Sequence, residues 1–129
     1  MGFGNLNRPL KVGLNMPYPT KVEVWEADLR GSSGHEQKGN RPVLLWRDLD
    51  HVKLAIIIPL TSNLLTEAIA HTYLISATSK NGLRKDSIAL LFQIKALDKS
   101  QLKNKIGELE VHDIGEIAHL LAEMLRVQK

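Results

Sequence analysis

The sequence predicts a mainly β protein with helices at its C-terminal end, and the spacing of its apolar residues carries that prediction. Short segments rich in Val, Ile and Leu alternate with turn-forming residues, which is typical of strands. The spacing changes to a helical one in the last part of the chain. Many short strands followed by helices indicate a small barrel or a strongly bent sheet with helices at its edge.

The predicted strands cover residues 20–29, 42–47, 52–60, 71–77 and 87–94. In the first, Val22, Val24 and Glu26 fall on one face. The continuous Ile run of the third predicts a strand buried on both faces, with Pro59 near its end. Residues 30–40 form a long polar loop, and residues 62–70 form a loop or a short helical turn.

Helix signals begin at Asp98. Asp98 and Gln101 have the spacing of a capping box, which predicts a short helix through Ile106. Asp113 opens a second helix. Its apolar residues recur at helical spacing, namely Ile114, Ile117, Leu120, Leu121, Met124 and Leu125.

Composition limits the organisation and the possible functions. A length of 129 residues favours one domain, here residues 20–129, after an irregular arm rich in Gly and Pro at residues 1–19. The net charge of +3 favours an anionic partner. The absence of cysteine excludes disulfides and thiolate catalysis. The sequence shows neither a secretory signal nor an apolar run long enough for a membrane, so a cytoplasmic protein without membrane contact is expected.

The loop before the second strand contains a candidate phosphate site. Arg41 precedes Pro42, which favours an extended backbone, and its planar guanidinium can hold two phosphate oxygens. The alternative is a structural ion pair with Glu36. His35 and Glu36 could exchange protons in catalysis, or only solvate and cap the loop. Gln37 could contact a base edge, or tie the loop together.

Thr61 and Ser62 end the third strand, where a hydroxyl could donate to a phosphate or simply form a turn. The spacing of the histidines gives no metal-binding pattern, so no metal or other cofactor is expected. Arg84 and the lysines after it make the second half basic, which suits either a nucleic-acid groove or a solvated face. The candidates for stacking on bases are Trp25, Trp46, Tyr73 and Phe92.

From about Val22 to Leu125, ordered blocks of the sequence are similar to a known family. The block from Gly34 to Leu44, GHEQKGNRPVL, contains the signature Gly-x-Glu-Gln-x-Gly-x-Arg-Pro. Further matching blocks are VWEADL, IIPLTS, GLRKDS and QIKALDK. In these blocks the chain resembles the MazF/PemK toxins, which are sequence-specific endoribonucleases of toxin–antitoxin pairs.

The resemblance implies an SH3-like barrel of the MazF/CcdB type, a homodimer, and metal-independent cleavage of single-stranded RNA. It also implies a cognate antitoxin with a flexible acidic tail. The 2′-hydroxyl of the substrate would attack the adjacent phosphorus and give a 2′,3′-cyclic phosphate and a 5′-hydroxyl. The matching catalytic residues are Arg41, which stabilises the phosphorane and is a candidate proton donor, and Thr61, which contacts the phosphate.

Glu36 is the candidate for activating the 2′-hydroxyl, with His35 as the alternate. The expected substrate-binding residues are His35, Gln37, Ser62, Arg84, Phe92 and Gln93. Phe92 departs from the family pattern, because several relatives carry an acidic residue before this Gln. We expect it to stack on a base. The arm is also longer than is usual in the family. The alternative function is a non-catalytic toxin or binding protein on the same fold, either a gyrase poison or an RNA-binding protein.

Overall fold

The computed structural model describes residues 19–29 and 39–127, which form an antiparallel sheet, short 3-10 turns and a C-terminal α-helix. The strands are β1 (Glu23–Asp28), β2 (Asn40–Asp48), β3 (Leu54–Thr61), β4 (Thr72–Ile75), β5 (Ser87–Leu90), β6 (Lys95–Asp98) and β7 (Leu102–Glu108). The 3-10 turns cover Leu64–Ala68, Leu91–Gln93 and Lys99–Gln101, and helix α1 covers Val111–Leu125. The predicted arm, residues 1–19, lies outside the described residues except for Pro19.

The sheet is a bent path in the order β4-β5-β3-β2-β1-β7, and β6 adds to one side of β3. The mainly β class with a C-terminal helix is therefore confirmed. Within the described ranges no strand pair joins β4 to β7, so the path stays open where the predicted barrel would close.

β3 is the central strand, because β2 covers one of its edges and two strands share the other. Residues Leu54–Ile57 pair with β6, whereas Leu60 and Thr61 pair with β5. Pro59 lies next to the point where the partner changes. Proline has no backbone N–H to donate and is tolerated at such a point, and Pro59 is buried two residues before the end of β3, near the end as predicted.

Alternation along β1, β2 and β3 divides the core between the two faces of the sheet. Helix α1 packs on the face that carries Val24, Leu44 and Ile58. The opposite face carries a smaller core that contains Ala27, Leu29, Val43, Ile57 and Leu97. Odd-numbered residues of β2 and β3 thus face the smaller core, and even-numbered ones face the larger core.

The predicted short helix from Asp98 to Ile106 is wrong. The capping signal is real, since the Asp98 carboxylate accepts a hydrogen bond from the Ser100 N–H at 2.8 Å, but it opens only a single 3-10 turn. Residues Leu102–Glu108 then pair with β1. Pairing with a distant strand outweighs the local helix signal, as tertiary contacts commonly do. Similarly, the predicted strand 87–94 is too long, because β5 ends at Leu90, a 3-10 turn covers Leu91–Gln93, and the next strand, β6, begins only at Lys95.

Helix α1 begins at Val111, two residues before the predicted start, and is tied to β4 by a buried carboxylate. The Tyr73 hydroxyl donates to Asp113 at 2.5 Å, and Asp113 is only 4% exposed. Burial and the Asp113 carboxylate raise the pKa of Tyr73 above its usual value. None of the helices in the described part of the chain is long and apolar enough to cross a membrane.

Candidate functional site

We call the end of the strand pair where β2 begins and β3 ends the β2–β3 edge. A cavity at this edge contains four of the predicted site residues. It has a volume of about 280 Å³, and Arg41, Thr61, Phe92 and Gln93 line it. We call it the Arg41 cavity. These residues come from β2, β3 and the 3-10 turn Leu91–Gln93. The fold therefore brings together side chains that lie far apart in the sequence, since Arg41 and Gln93 are separated by 52 positions.

The register of β2 and β3 explains why Arg41 and Thr61 share this cavity. Val43 pairs with Pro59, and Arg41 and Thr61 each lie two residues beyond this pair, at the same end of the two strands. Side chains two residues apart on a strand lie on one face, so Arg41 shares the face of Val43 and Thr61 shares the face of Pro59. The register therefore places both side chains on one face at this end of the pair, where they line the same cavity.

The Arg41 side chain is exposed. Within residues 19–29 and 39–127 the structure gives its guanidinium group no hydrogen bond and no ion pair. Its backbone is held in β2 opposite Ala27. An arginine whose backbone is fixed in a strand and whose guanidinium has no partner among the described residues can bind an anion with little rearrangement.

Thr61 is oriented by the turn that follows it. Its Oγ1 accepts a hydrogen bond from the Asn63 N–H at 3.2 Å, and the Asn63 side chain in turn accepts from the Leu65 N–H at 3.2 Å. Because a hydroxyl that accepts in this way keeps its own proton, Thr61 can still donate to a ligand. Thr61 thus takes part in a local turn and can also donate a hydrogen bond at the cavity, so the two interpretations of this residue are compatible.

Phe92 and Gln93 reach the cavity from the 3-10 turn Leu91–Gln93, whose first residue is buried. Leu91 is fully buried, and its N–H donates to the His71 carbonyl at 3.0 Å. Both following side chains are exposed, and Phe92 is 42% exposed. Ile69 and Thr66 also line this cavity and were missed by the sequence reasoning, although their loop, residues 62–70, was identified.

The other aromatic candidates are engaged elsewhere. Trp25 donates from Nε1 to Glu23 at 2.8 Å, and this bond is the main cause that lowers the pKa of Glu23. Tyr73 is bound to Asp113, and Trp46 packs against the larger core. Of the four candidates for stacking, Phe92 is the one that lines the Arg41 cavity.

Ser62 and Arg84 lie in a different cavity, on the opposite face of the same edge. This cavity, which we call the Arg84 cavity, has a volume of about 510 Å³. Pro42 and Ser62 also line it. Since neighbouring strand residues point to opposite faces, the two cavities meet back to back along the edge. Glu26 and Asn104 line the Arg84 cavity as well and were not identified from sequence, because Asn104 was assigned to a helix.

The segment that carries Arg84 is held together by a buried asparagine, and it is bound to β7 by the Glu108 N–H, which donates to the Lys80 carbonyl at 2.9 Å. Asn81 is fully buried, and its side chain accepts from the N–H groups of Thr78 and Leu83, each at 3.0 Å. Its amide also donates to the Ser76 carbonyl at 2.9 Å. We call residues 76–87 the Asn81 wall. It places Arg84 at the rim of its cavity.

The three predicted residues Glu36, His35 and Gln37 lie outside the described residues. Among those that are described, no three His, Asp or Glu side chains come together in a group that could hold a metal ion. The described chemistry of the edge is thus that of a guanidinium, a hydroxyl and an amide beside an aromatic ring.

Comparison with known proteins identifies the family of the chain. A model of the family described as PemK-like, MazF-like toxin of type II toxin–antitoxin systems matches residues 20–125. The endoribonuclease MazF of Staphylococcus saprophyticus is 34% identical over 97 residues, which are 74% of this chain and 81% of that protein.

Solved structures share the fold at lower identity. The Mycobacterium tuberculosis toxin MazF-mt6 has a TM-score of 0.65 at 16% identity, with 83% of this chain and 99% of that chain covered. An endoribonuclease from a mycobacterial species, solved with its cognate antitoxin, has a TM-score of 0.64 at 20% identity, with 88% and 99% covered. The resemblance drawn from the sequence is confirmed, and the chain belongs to the PemK/MazF family of toxins of type II toxin–antitoxin systems.

Proposed function

We propose that this protein is a sequence-specific endoribonuclease toxin that cleaves single-stranded RNA at the Arg41 cavity. The observation that supports the proposal is that Arg41, Thr61, Phe92 and Gln93 line one cavity, at the end of the paired strands β2 and β3. Membership of the toxin family, and a relative named as an endoribonuclease, support RNA as the substrate.

The reaction proceeds by attack of the substrate's own 2′-hydroxyl on the adjacent phosphorus. A base takes the hydroxyl proton, the new P–O bond forms, and the P–O5′ bond breaks. A proton reaches the 5′ oxygen, which leaves a 2′,3′-cyclic phosphate and a 5′-hydroxyl. Glu36 is the proposed base, with His35 as the alternate, and the candidates for the proton donor are Arg41 and His35.

Arg41 and Thr61 stabilise the negative charge that develops during this attack. The phosphorane carries more negative charge on its oxygens than the substrate does, and preorganised donors stabilise that charge. Two oxygens can bind the guanidinium fork of Arg41, and a third can accept from the Thr61 hydroxyl. The exposed Gln93 amide and the Phe92 ring then hold the neighbouring nucleotide.

The test is cleavage of a long single-stranded RNA in the presence of EDTA. We expect discrete fragments from the wild type, and at least about a hundredfold slower cleavage by Arg41→Ala and Thr61→Val. Arg47→Ala is the matched control, since Arg47 is an exposed arginine at the other end of β2. Intact RNA at high protein concentration would contradict the proposal and favour a non-catalytic toxin.

An antitoxin partner and a homodimer complete the proposal. The mycobacterial structure solved with its cognate antitoxin supports the first. Exposed apolar side chains support an interface, since Leu65 is 85% exposed and Ile69 is 52% exposed beside the Arg41 cavity. Light scattering coupled to size exclusion will show twice the monomer mass if the chain dimerises.

A further inference from the structure

The Arg84 cavity has no part in the cleavage chemistry, yet it adjoins the proposed catalytic pair. Pro42 and Ser62, which line it, directly follow Arg41 and Thr61 in the chain. Consecutive Cα atoms are about 3.8 Å apart. The two cavities open on opposite faces of this edge, so an RNA strand whose scissile phosphate contacts Arg41 and Thr61 and that passes around the edge brings a neighbouring nucleotide to the Arg84 cavity.

The cavity has the size and lining of a site for a flat polar ligand. Its volume of about 510 Å³ falls within the range of about 300–1,000 Å³ that is typical of small-ligand sites. Pro42, Leu83 and Ile106 supply apolar surface. Polar groups converge from two directions, with a carboxylate on β1 and cations on the Asn81 wall.

Glu26 is the acceptor of this cavity. Its Oε1 accepts from the Asn104 Nδ2 at 3.3 Å, which orients the carboxylate. In the part of the chain that the structure describes, its Oε2 has no hydrogen-bond partner. β1 holds Glu26 between Pro42 of β2 and Asn104 of β7, so the carboxylate is positioned by strands on both sides.

Arg84 and Lys85 are the donors of the same cavity. Both side chains are exposed, and in residues 19–29 and 39–127 neither has an ion pair. They are held in place from behind, because the Ser87 hydroxyl donates to the Lys85 carbonyl at 2.9 Å. The cavity therefore presents a carboxylate and two cations to one ligand.

Among the RNA bases, guanine fits this pattern. Its Watson–Crick edge offers two adjacent donors, N1–H and N2–H, beside the O6 acceptor, and bases in single strands are read on this edge. An ionised carboxylate only accepts, and its two oxygens can take both donors. Adenine and cytosine would place a ring acceptor against the carboxylate, and uracil offers only one donor between two acceptors.

We infer that the Arg84 cavity binds a guanine of the RNA, with Glu26 as the residue that selects it and Arg84 or Lys85 at O6. The inference deepens the proposed ribonuclease function and rests on it. An interaction of the same cavity with a protein partner is the competing outcome of the test.

Cleavage of a randomised single-stranded RNA library, with sequencing of the 5′-hydroxyl ends, tests the inference. The wild type should show guanine at one fixed position relative to the cut. Glu26→Gln, which keeps the shape and removes the charge, should lower that preference by about tenfold or more. Glu123→Gln, an exposed glutamate on α1, is the control and should leave it unchanged. An unchanged guanine preference in Glu26→Gln overturns the inference.

A binding measurement separates this inference from the cleavage proposal. Oligonucleotides with a 2′-deoxy residue at the cut cannot be cleaved by 2′-hydroxyl attack, so their affinity reports recognition alone. Replacing the guanosine with inosine removes the N2 donor, and should weaken binding to the wild type about fivefold or more but scarcely affect Glu26→Gln. Equal penalties in both proteins overturn the base site even if RNA is cleaved.

Arg84→Ala provides a second variant at an exposed position where folding is not at risk. It should weaken binding of the guanosine and the inosine oligonucleotides alike, because both retain O6. If Glu26→Gln and Arg84→Ala reduce antitoxin affinity but leave base preference intact, the cavity serves a protein partner and the guanine site is wrong.

Discussion

The Asn81 wall and the β2–β3 edge both contribute residues to the Arg84 cavity, yet they are built differently. In the wall, Asn81 is fully buried with its side-chain amide and carbonyl both hydrogen-bonded. At the edge, Arg41 is exposed, and its guanidinium has no partner within the described ranges. The buried polar side chain of the wall is thus fully engaged within the fold, whereas the guanidinium of the edge has no partner among the described residues.

This difference predicts that substitutions in the two regions will affect different properties, namely the free energy of unfolding and the activity. A change at a buried residue of the wall, such as Asn81, should lower the free energy of unfolding, because it breaks contacts that already exist in the free protein. A change at the edge should lower activity and leave unfolding almost unaffected, since its contacts form only with substrate.

The largest expected effect on stability is that of Gly82→Ala. Gly82 has φ +71°, and an added Cβ would lie 1.9 Å from the Ile106 carbonyl oxygen of β7. The left-handed backbone costs about 1–2 kcal/mol for alanine and overpacking a further 1–3 kcal/mol, so we expect a loss of about 3 kcal/mol or more. Urea unfolding followed by far-UV circular dichroism measures it.

Two other glycines separate backbone strain from the clash. Gly39 has φ +70° with nothing within 4 Å of an added Cβ, so Gly39→Ala should cost only about 1–2 kcal/mol. Gly115 lies within α1 and is also open, so Gly115→Ala should stabilise by about 0.5–1 kcal/mol. If Gly82→Ala is no worse than Gly39→Ala, the contact between the wall and β7 is not tight.

The second effect is that of Asn81→Ala, which removes the side chain that closes the wall. It leaves the Thr78 and Leu83 N–H groups and the Ser76 carbonyl without their partner. An unsatisfied buried group costs about 1–3 kcal/mol, and we expect a total loss of about 2–4 kcal/mol by the same unfolding measurement.

Asn63→Ala is the matched control, because Asn63 is exposed and makes one capping bond beside Thr61. We expect it to cost about 0.5–1 kcal/mol. Equal losses for the two asparagines would show that the edge is as integral to the fold as the wall, and the comparison would fail.

Sequence predicted the edge better than the wall, for a physical reason. Arg41 before Pro42 and Thr61 at the end of an apolar strand are local patterns, and antiparallel pairing brought them together. The wall depends on contact between Gly82 and β7. The capping signal at Asp98 predicted a helix there, and only the non-local pairing of Leu102–Glu108 with β1 makes the segment a strand. Lys80 to Gly82 was identified as a turn, but burial of Asn81 requires that distant strand.

A third, smaller effect is the loss of folding stability at acidic pH. β7, which supports the wall, is linked to β1 by the Lys105–Glu23 ion pair at 3.3 Å. The Trp25 hydrogen bond first, and then Lys105, lower the pKa of Glu23 below the ordinary value of 4.5. A lowered carboxylate pKa stabilises the fold above the ordinary value, and that stability is lost as pH falls through the lowered one.

We therefore expect the free energy of unfolding to decline as the pH falls below the ordinary Glu pKa of 4.5, and to decline less in Glu23→Gln. Urea unfolding at several pH values in this range gives both curves. High salt should reduce the difference, since the pair is partly exposed. Parallel curves for the two proteins would show that Glu23 does not contribute to the acid sensitivity.

The smallest stability effect, with a large effect on activity, belongs to Arg41→Lys. The lysine keeps the charge but lacks the planar fork that can hold two phosphate oxygens, so cleavage should fall by tenfold or more while binding of RNA persists. Because the Arg41 guanidinium contacts no partner in the described residues, unfolding should change by less than about 0.5 kcal/mol. Measured together, the rate of RNA cleavage and the urea midpoint distinguish a residue of the edge from one of the wall. A loss of stability as large as that of Asn81→Ala would make Arg41 a structural residue, as the ion-pair interpretation with Glu36 predicts.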